Sequence, residues 1–222
     1  MRRLYHIWLD PGCRIARVVL AEKRVDFELK VEMPWQRRDK FLQMNPAGDV
    51  PLLIEKDGAI LSNTRAVVEF LEEQYPEPPL LGQTPHERAE IRRLMGWFDG
   101  KFMTEVAHHL MSEKIMKRFL KMGQPSSDAI RAALYNMRTH LDYLDYLTER
   151  HNYLAGDRFS MADIFAASYF SVLDYLGDVD WDGHDAAREW YIRVKSRLSF
   201  KPLLEERISG LTPPRHYSQL DF

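Results

Sequence analysis

Asn45-Pro46-Ala47-Gly48-Asp49-Val50-Pro51 is the stretch on which the fold turns. It stops a short helical pattern running from Arg37 to Met44, and it leads into the apolar run Pro51 to Ile54. An X-Pro bond at the mouth of a buried strand can be cis, because trans is favoured by only about 0.5–1 kcal/mol. Such a turn exposes the N–H and C=O of Val50, which can pair antiparallel with an extended peptide as in strand addition. A plain structural turn accounts for the same residues, and this segment alone leaves both readings open.

Working upstream, Leu4 to Leu9 reads as a buried strand. Cys13 to Lys23 carries Ile15, Val18 and Val19 in helical order. Val25, Phe27, Leu29 and Val31 alternate at period two, a strand signal. Downstream, Pro51 to Ile54 and Ala59 to Leu61 flank the hairpin turn Lys56-Asp57-Gly58. Asn63 or Thr64 then caps a helix that reaches Tyr75. The order is βαβ, α, ββ, α, an α/β domain over residues 1–76.

Pro76-Glu77-Pro78-Pro79 opens a linker, taken as residues 77–84. Beyond it the strand signals largely stop. His86 to about Lys121 is one long helical pattern, broken by Gly123-Gln124-Pro125. Ser127 to Arg150 is a second, with Leu134, Met137, Leu141, Leu144 and Leu147 at helical spacing. Shorter helices fit Met161 to Leu176, Asp185 to Leu198 and Pro202 to Ile208. The expectation is an all-α domain over 85–211 and an extended tail over 212–222, the latter because Pro213-Pro214 ends any helix.

Composition narrows the function. The 222 residues hold 31 basic and 33 acidic side chains, a formal charge of -2, which argues against a general nucleic-acid binder. Arg37-Arg38 and Lys114 to Lys121 are local basic clusters of the kind that solvated helix faces carry. The single cysteine, Cys13, rules out an intramolecular disulfide. No apolar run approaches the roughly 20 residues of a membrane span. No signal-peptide pattern is evident, no metal-ligand spacing stands out, and a reducing cytoplasm is the expected compartment.

Two helix starts carry motifs. Ser62-Asn63-Thr64 offers N-terminal amides that can hold a carboxylate, with simple N-capping as the competing account. Ser160-Met161-Ala162-Asp163 is a capping box, a structural device.

Together these segments resemble the glutathione-transferase family. Pro11 and Arg17, the turn from Asn45 to Pro51, Ser62-Asn63-Thr64-Arg65-Ala66-Val67, Tyr75-Pro76, and Leu154-Ala155-Gly156-Asp157 with its following capping box all fall in the family's order. The resemblance implies a thioredoxin-like N-terminal domain, an all-helical C-terminal domain and a homodimer. It implies that Val50, ahead of Pro51, pairs with the glutathione backbone. It places the polar residues of the γ-glutamyl end at Asn63 and Thr64, shorter than the usual Glu or Gln and Ser. Asp49 stands where a cation is common.

The activating hydroxyl or thiol of the family falls at Asp10 or near His6, and neither residue supplies it. The remaining candidates are Tyr5, Asp10 itself and Cys13. A carboxylate at Asp10 would raise the pKa of a neighbouring thiol. Cys13 sits near a helix N-terminus, where a thiolate is favoured, although that position usually packs inward in relatives.

Within the family, the chain is most similar to bacterial division proteins that bind the tubulin-like FtsZ. Leu9-Asp10-Pro11-Gly12-Cys13-Arg14, Trp35, the stretch Glu105 to Arg118, and Pro213-Pro214-Arg215-His216-Tyr217-Ser218-Gln219-Leu220-Asp221-Phe222 carry this narrower likeness. It implies a binding module for FtsZ filaments at the division site, without a cofactor. Candidate contacts are Trp35, the charged face Glu113, Lys117 and Arg118, and the tail anchors Tyr217, Leu220, Asp221 and Phe222. A solvated ion-pair ladder and a tail packed on its own core explain the same patterns. The residues favour the binding module and leave a glutathione-dependent transferase open.

Overall fold

The opening strand β1 (Arg2–His6) lies inside a four-stranded sheet of order β2-β1-β3-β4. The computed structural model describes residues 1–220 and divides into two units, Met1–Leu80 and Leu81–Phe222. β1 pairs in parallel with β2 (Phe27–Val31) and antiparallel with β3 (Leu52–Ile54), which pairs with β4 (Ile60–Ser62). A parallel pair needs a crossover, and α1 (Pro11–Glu22) supplies it. α1 is sealed in from Cys13 to Leu20 and packs against α3 (Thr64–Gln74). Strand side chains alternate faces. Leu52 and Ile54 therefore meet Phe41 of α2 (Asp39–Met44), joined by Tyr5, Met44 and Val50.

Two boundaries differ from expectation for visible reasons. β1 ends at His6, not Leu9: Leu9 adopts φ 56°, and the chain turns out of the sheet with Trp8 38% exposed. β2 begins at Phe27 rather than Val25, and as an edge strand it leaves Leu29 and Val31 open.

In the second unit, α4 starts at Pro85 and continues helically to residue 120. A capping box begins it: Thr84 Oγ1 accepts from Glu87 N at 3.2 Å, and Glu87 Oε2 accepts from Thr84 N at 3.1 Å. The rod is π-helical over Trp97–Ala107 and Ser112–Met116. α5 (Ser127–Thr148), α6 (Met161–Tyr175), α7 (Asp185–Lys195) and the short α8 (Lys201–Leu204) follow. α6 is buried along its whole length and forms the axis of the unit.

The expected Ser160–Asp163 box closes there, and Asp163 does more than cap. Its carboxylate accepts from Ser160 N at 2.9 Å, Ser160 Oγ at 3.0 Å, Leu154 N at 2.9 Å and Trp190 Nε1 at 2.8 Å. It thus joins α6, α7 and the preceding loop.

The tail does not run extended from residue 212. Arg215–Ser218 forms a 3-10 turn, and Tyr217 is fully buried with its hydroxyl donating to Leu203 O at 3.0 Å. Burial of the Tyr217 ring and the hydrogen bonds of His216 to Asp174 and of Lys195 to His216 O together hold this segment against the core.

Candidate functional site

In the first unit, the start of α1 and the turn before β3 converge on Gly12. Pro11 opens the helix with φ preset, and Asp10 caps it, its carboxylate accepting from Cys13 N at 2.7 Å. A Cβ on Gly12 would lie 2.4 Å from Thr64 Oγ1 and 3.3 Å from both Asp10 Oδ1 and Pro51 Cδ. Only glycine fits, and the approach places Asp10, Pro51 and Thr64 around one point. The Val50-Pro51 bond is cis. Sheet pairing begins at Leu52, and the backbone of Val50 takes part in none of the sheet or turn hydrogen bonds among the described residues. Asn63, at φ 77°, turns its Oδ1 onto Arg65 N at 2.9 Å and so acts as the cap of α3.

The sulfur chemistry of this site is unfavourable. Cys13 is fully buried rather than presented at the helix start. Burial first, and Asp10 second, push its thiol well above the ordinary range. The expectation of a favoured thiolate is therefore corrected: the helix terminus is there, but its amide is already taken by Asp10.

Desolvation raises the pKa of Asp10 itself, against the hydrogen bonds from Cys13, and the nearby Asp49 adds to the rise. Asp49 is exposed and held by Asn45 Nδ2, 2.6 Å from its Oδ1. Tyr5 points into the cluster under β3, its ring 5.7 Å from Phe41. His6 is buried. The residues thus fit the backbone half of a tripeptide site. They fit poorly the half that would stabilise its thiolate, because the carboxylates of Asp10 and Asp49 stand close to the α1 start.

The remaining predicted contacts lie apart. Trp35 sits half-buried in a 3-10 turn, Pro34–Gln36. In the second unit, Glu113 Oε2 accepts from Lys117 Nζ at 2.6 Å and from Ser126 N at 2.6 Å, so it fastens the start of α5. These bonds lower its pKa, Lys117 contributing most. Arg118 is exposed. Tyr217 is core and so is not displayed, whereas Leu220 is 38% exposed. Asp221 and Phe222 lie outside the described residues.

The sequence offered no signal for the buried Asp174. It gathers His216, Lys195, Tyr191 and Trp181 from far along the chain. Among the described residues, no group of three or more His, Cys, Asp or Glu could hold a metal ion, and no helix is long and apolar enough to cross a membrane.

Comparison with known proteins decides the family. The N-terminal domain model of glutathione S-transferase matches residues 4–79, and the C-terminal domain model matches 127–193. The chain belongs to the glutathione S-transferase superfamily. Among transferase-fold relatives, FtsZ-localized protein A of Caulobacter vibrioides is 45% identical over 225 residues, spanning 100% of this chain and 98% of that one. A crystal structure of a glutathione S-transferase from Rhodospirillum rubrum F11 superposes with TM-score 0.98 at 53% identity, covering 100% of both chains. FzlA from C. crescentus superposes with TM-score 0.97 at 45% identity, over 100% of this chain and 99% of that one. The thioredoxin-like first domain and helical second domain of the superfamily are the two units described above.

Proposed function

We propose that this protein is a non-catalytic, transferase-fold binding module that engages FtsZ filaments during bacterial division and acts as a homodimer in the cytoplasm. The observation that carries the reading is the state of the α1 start. A buried, electrostatically disfavoured Cys13 and the capping carboxylate of Asp10 stand where the superfamily's thiol chemistry would need a donor. The full-length likeness to a protein named for its localisation with FtsZ supplies the direction. Two copies would present two filament contacts and raise avidity without any new bond.

Co-sedimentation with polymerised FtsZ tests it. The folded protein pellets with filaments and stays in the supernatant without them; its absence from the pellet overturns the reading.

A second reading, a glutathione-dependent transferase acting on small electrophiles, is favoured by one observation: the backbone of Val50 beside Pro51 lies outside the sheet. In it, Val50, Asn63 and Thr64 hold the tripeptide. Titration calorimetry with millimolar glutathione decides between the two. Heat of binding together with turnover of an electrophile supports the transferase, and a flat titration removes it.

A further inference from the structure

Two adjoining cavities flank the segment that leads into the tail, and among the described residues both are lined by cations without a carboxylate. One, of about 640 Å³, has Lys114, Lys117, Arg118 and Lys121 on one wall and Tyr175, Leu176 and Leu211 as an apolar floor. The other, of about 450 Å³, has Arg207 and Arg215 beside Ile208, Leu211 and two prolines. Leu211 and Thr212 line both, so the pair forms one trough across the tail segment.

The six cations are not equivalent. Lys114 is neutralised by Asp178 and Lys117 by Glu113. Arg207 is turned onto its own backbone, donating to Leu204 O at 3.0 Å and Glu206 O at 2.7 Å. Arg118, Lys121 and Arg215 are exposed, and among the described residues they have no acidic partner. Arg118 reaches the loop before Leu211, its Nε 3.9 Å from where a Cβ on Gly210 would sit. Lys121 ends α4 in the left-handed conformation at φ 54°. Phe119 and Met122, 41% and 62% exposed, flank it in sequence.

We infer that this trough is a docking surface for an extended acidic peptide segment carrying apolar side chains. Its carboxylates meet Arg118, Lys121 and Arg215, and its apolar side chains lie over Tyr175, Leu176 and Leu211. Charge complementarity selects the occupant. A nucleic acid is the poorer match, because three of the six cations are already satisfied, the floor is apolar, and the whole chain is slightly acidic at -2. The inference rests on the division reading for the identity of the partner, whose contact element would be such an acidic segment.

The probe is a fluorescein-labelled peptide of alternating glutamate and leucine, titrated by anisotropy at low and high salt. Wild type binds it, more weakly as salt rises. The variant Arg118→Gln/Lys121→Asn/Arg215→Gln, with asparagine chosen to tolerate the left-handed position, binds about tenfold more weakly, as expected for losing three exposed ion pairs. Its circular dichroism and melting temperature match wild type. No peptide binding by wild type, equal binding by the variant, or tighter binding of a single-stranded RNA of equal charge would overturn the assignment.

The same two proteins are then pelleted with FtsZ polymers. Reduced pelleting of the variant supports the trough as the filament contact. Equal pelleting removes the trough as the filament contact and leaves the division reading standing. Peptide binding without pelleting of wild type keeps the trough and removes the division reading.

Discussion

His216 Nε2 lies 3.0 Å from Asp174 Oδ1, which ties the tail to the last turn of α6 through a single buried carboxylate. The same carboxylate receives Trp181 Nε1 at 3.4 Å and Tyr191 Oη at 3.3 Å. Lys195 stands 3.9 Å away, fully buried, and donates to His216 O at 3.1 Å. Tyr175 Oη, one residue beyond Asp174, donates to Leu211 O at 3.0 Å. Helix and tail are therefore held by one network with Asp174 at its centre.

Replacing Asp174 by asparagine keeps the shape and removes the charge opposite Lys195. An uncompensated buried ammonium costs about 3–5 kcal/mol. Urea unfolding of the Asp174→Asn variant should show a loss of that size, and amide exchange over residues 211–219 should accelerate. A surface ion pair would give less than about 1 kcal/mol. A loss that small would show that the network does not hold the tail.

Lys195 titrates against its own burial. Desolvation, only partly offset by Asp174, lowers its pKa from 10.5 to about 8. The unfolded chain therefore binds more protons than the folded one between those values, so stability contributed at this site rises with pH across that window. Unfolding free energies of wild type and Lys195→Met, measured from pH 7 to pH 10.5, should differ in slope. Their difference should move in favour of wild type by about 3 kcal/mol. Parallel curves would show that Lys195 carries no such penalty.

The first unit was legible because its signals are local. The turn from Asn45 to Pro51, the hairpin at Lys56-Asp57-Gly58 and the period-two run before Val31 each announce an element within a few residues. The same holds for Ser160 and Asp163. What escaped was set by distance. Nothing near Asp174 indicates that His216, 42 residues on, closes against it. Tyr217 reads as an anchor offered to a partner because an aromatic on a terminal segment looks the same whether it docks outward or inward. Cys13 misled for a related reason: a helix start favours a thiolate only where the side chain is not enclosed, and enclosure depends on the sheet behind it.

Cys13 should be chemically silent. With the thiol buried and its pKa raised, alkylation by iodoacetamide at pH 8 should be at least about a hundredfold slower than for an unfolded chain. It should reach the unfolded rate on adding denaturant. Rapid labelling of the native protein would show that the cysteine opens to solvent and would revive its candidacy as a reactive group.

Gly12 and Thr64 should be coupled. Gly12→Ala drives a methyl to within 2.4 Å of Thr64 Oγ1 and should destabilise by about 1–3 kcal/mol. Thr64→Ala removes the obstructing oxygen, so the double variant should recover at least about 0.5 kcal/mol relative to the sum of the singles. Strict additivity in thermal unfolding would separate the two residues.

Tyr217 completes a core whose other members come from α6 and from α8. During synthesis, the helical unit cannot close that core until residue 217 has left the ribosome. The first unit ends at Leu80 and is free to fold much earlier. Maturation is therefore ordered in time, and a ribosome stalled between the two events would carry a finished sheet domain tethered to an open bundle.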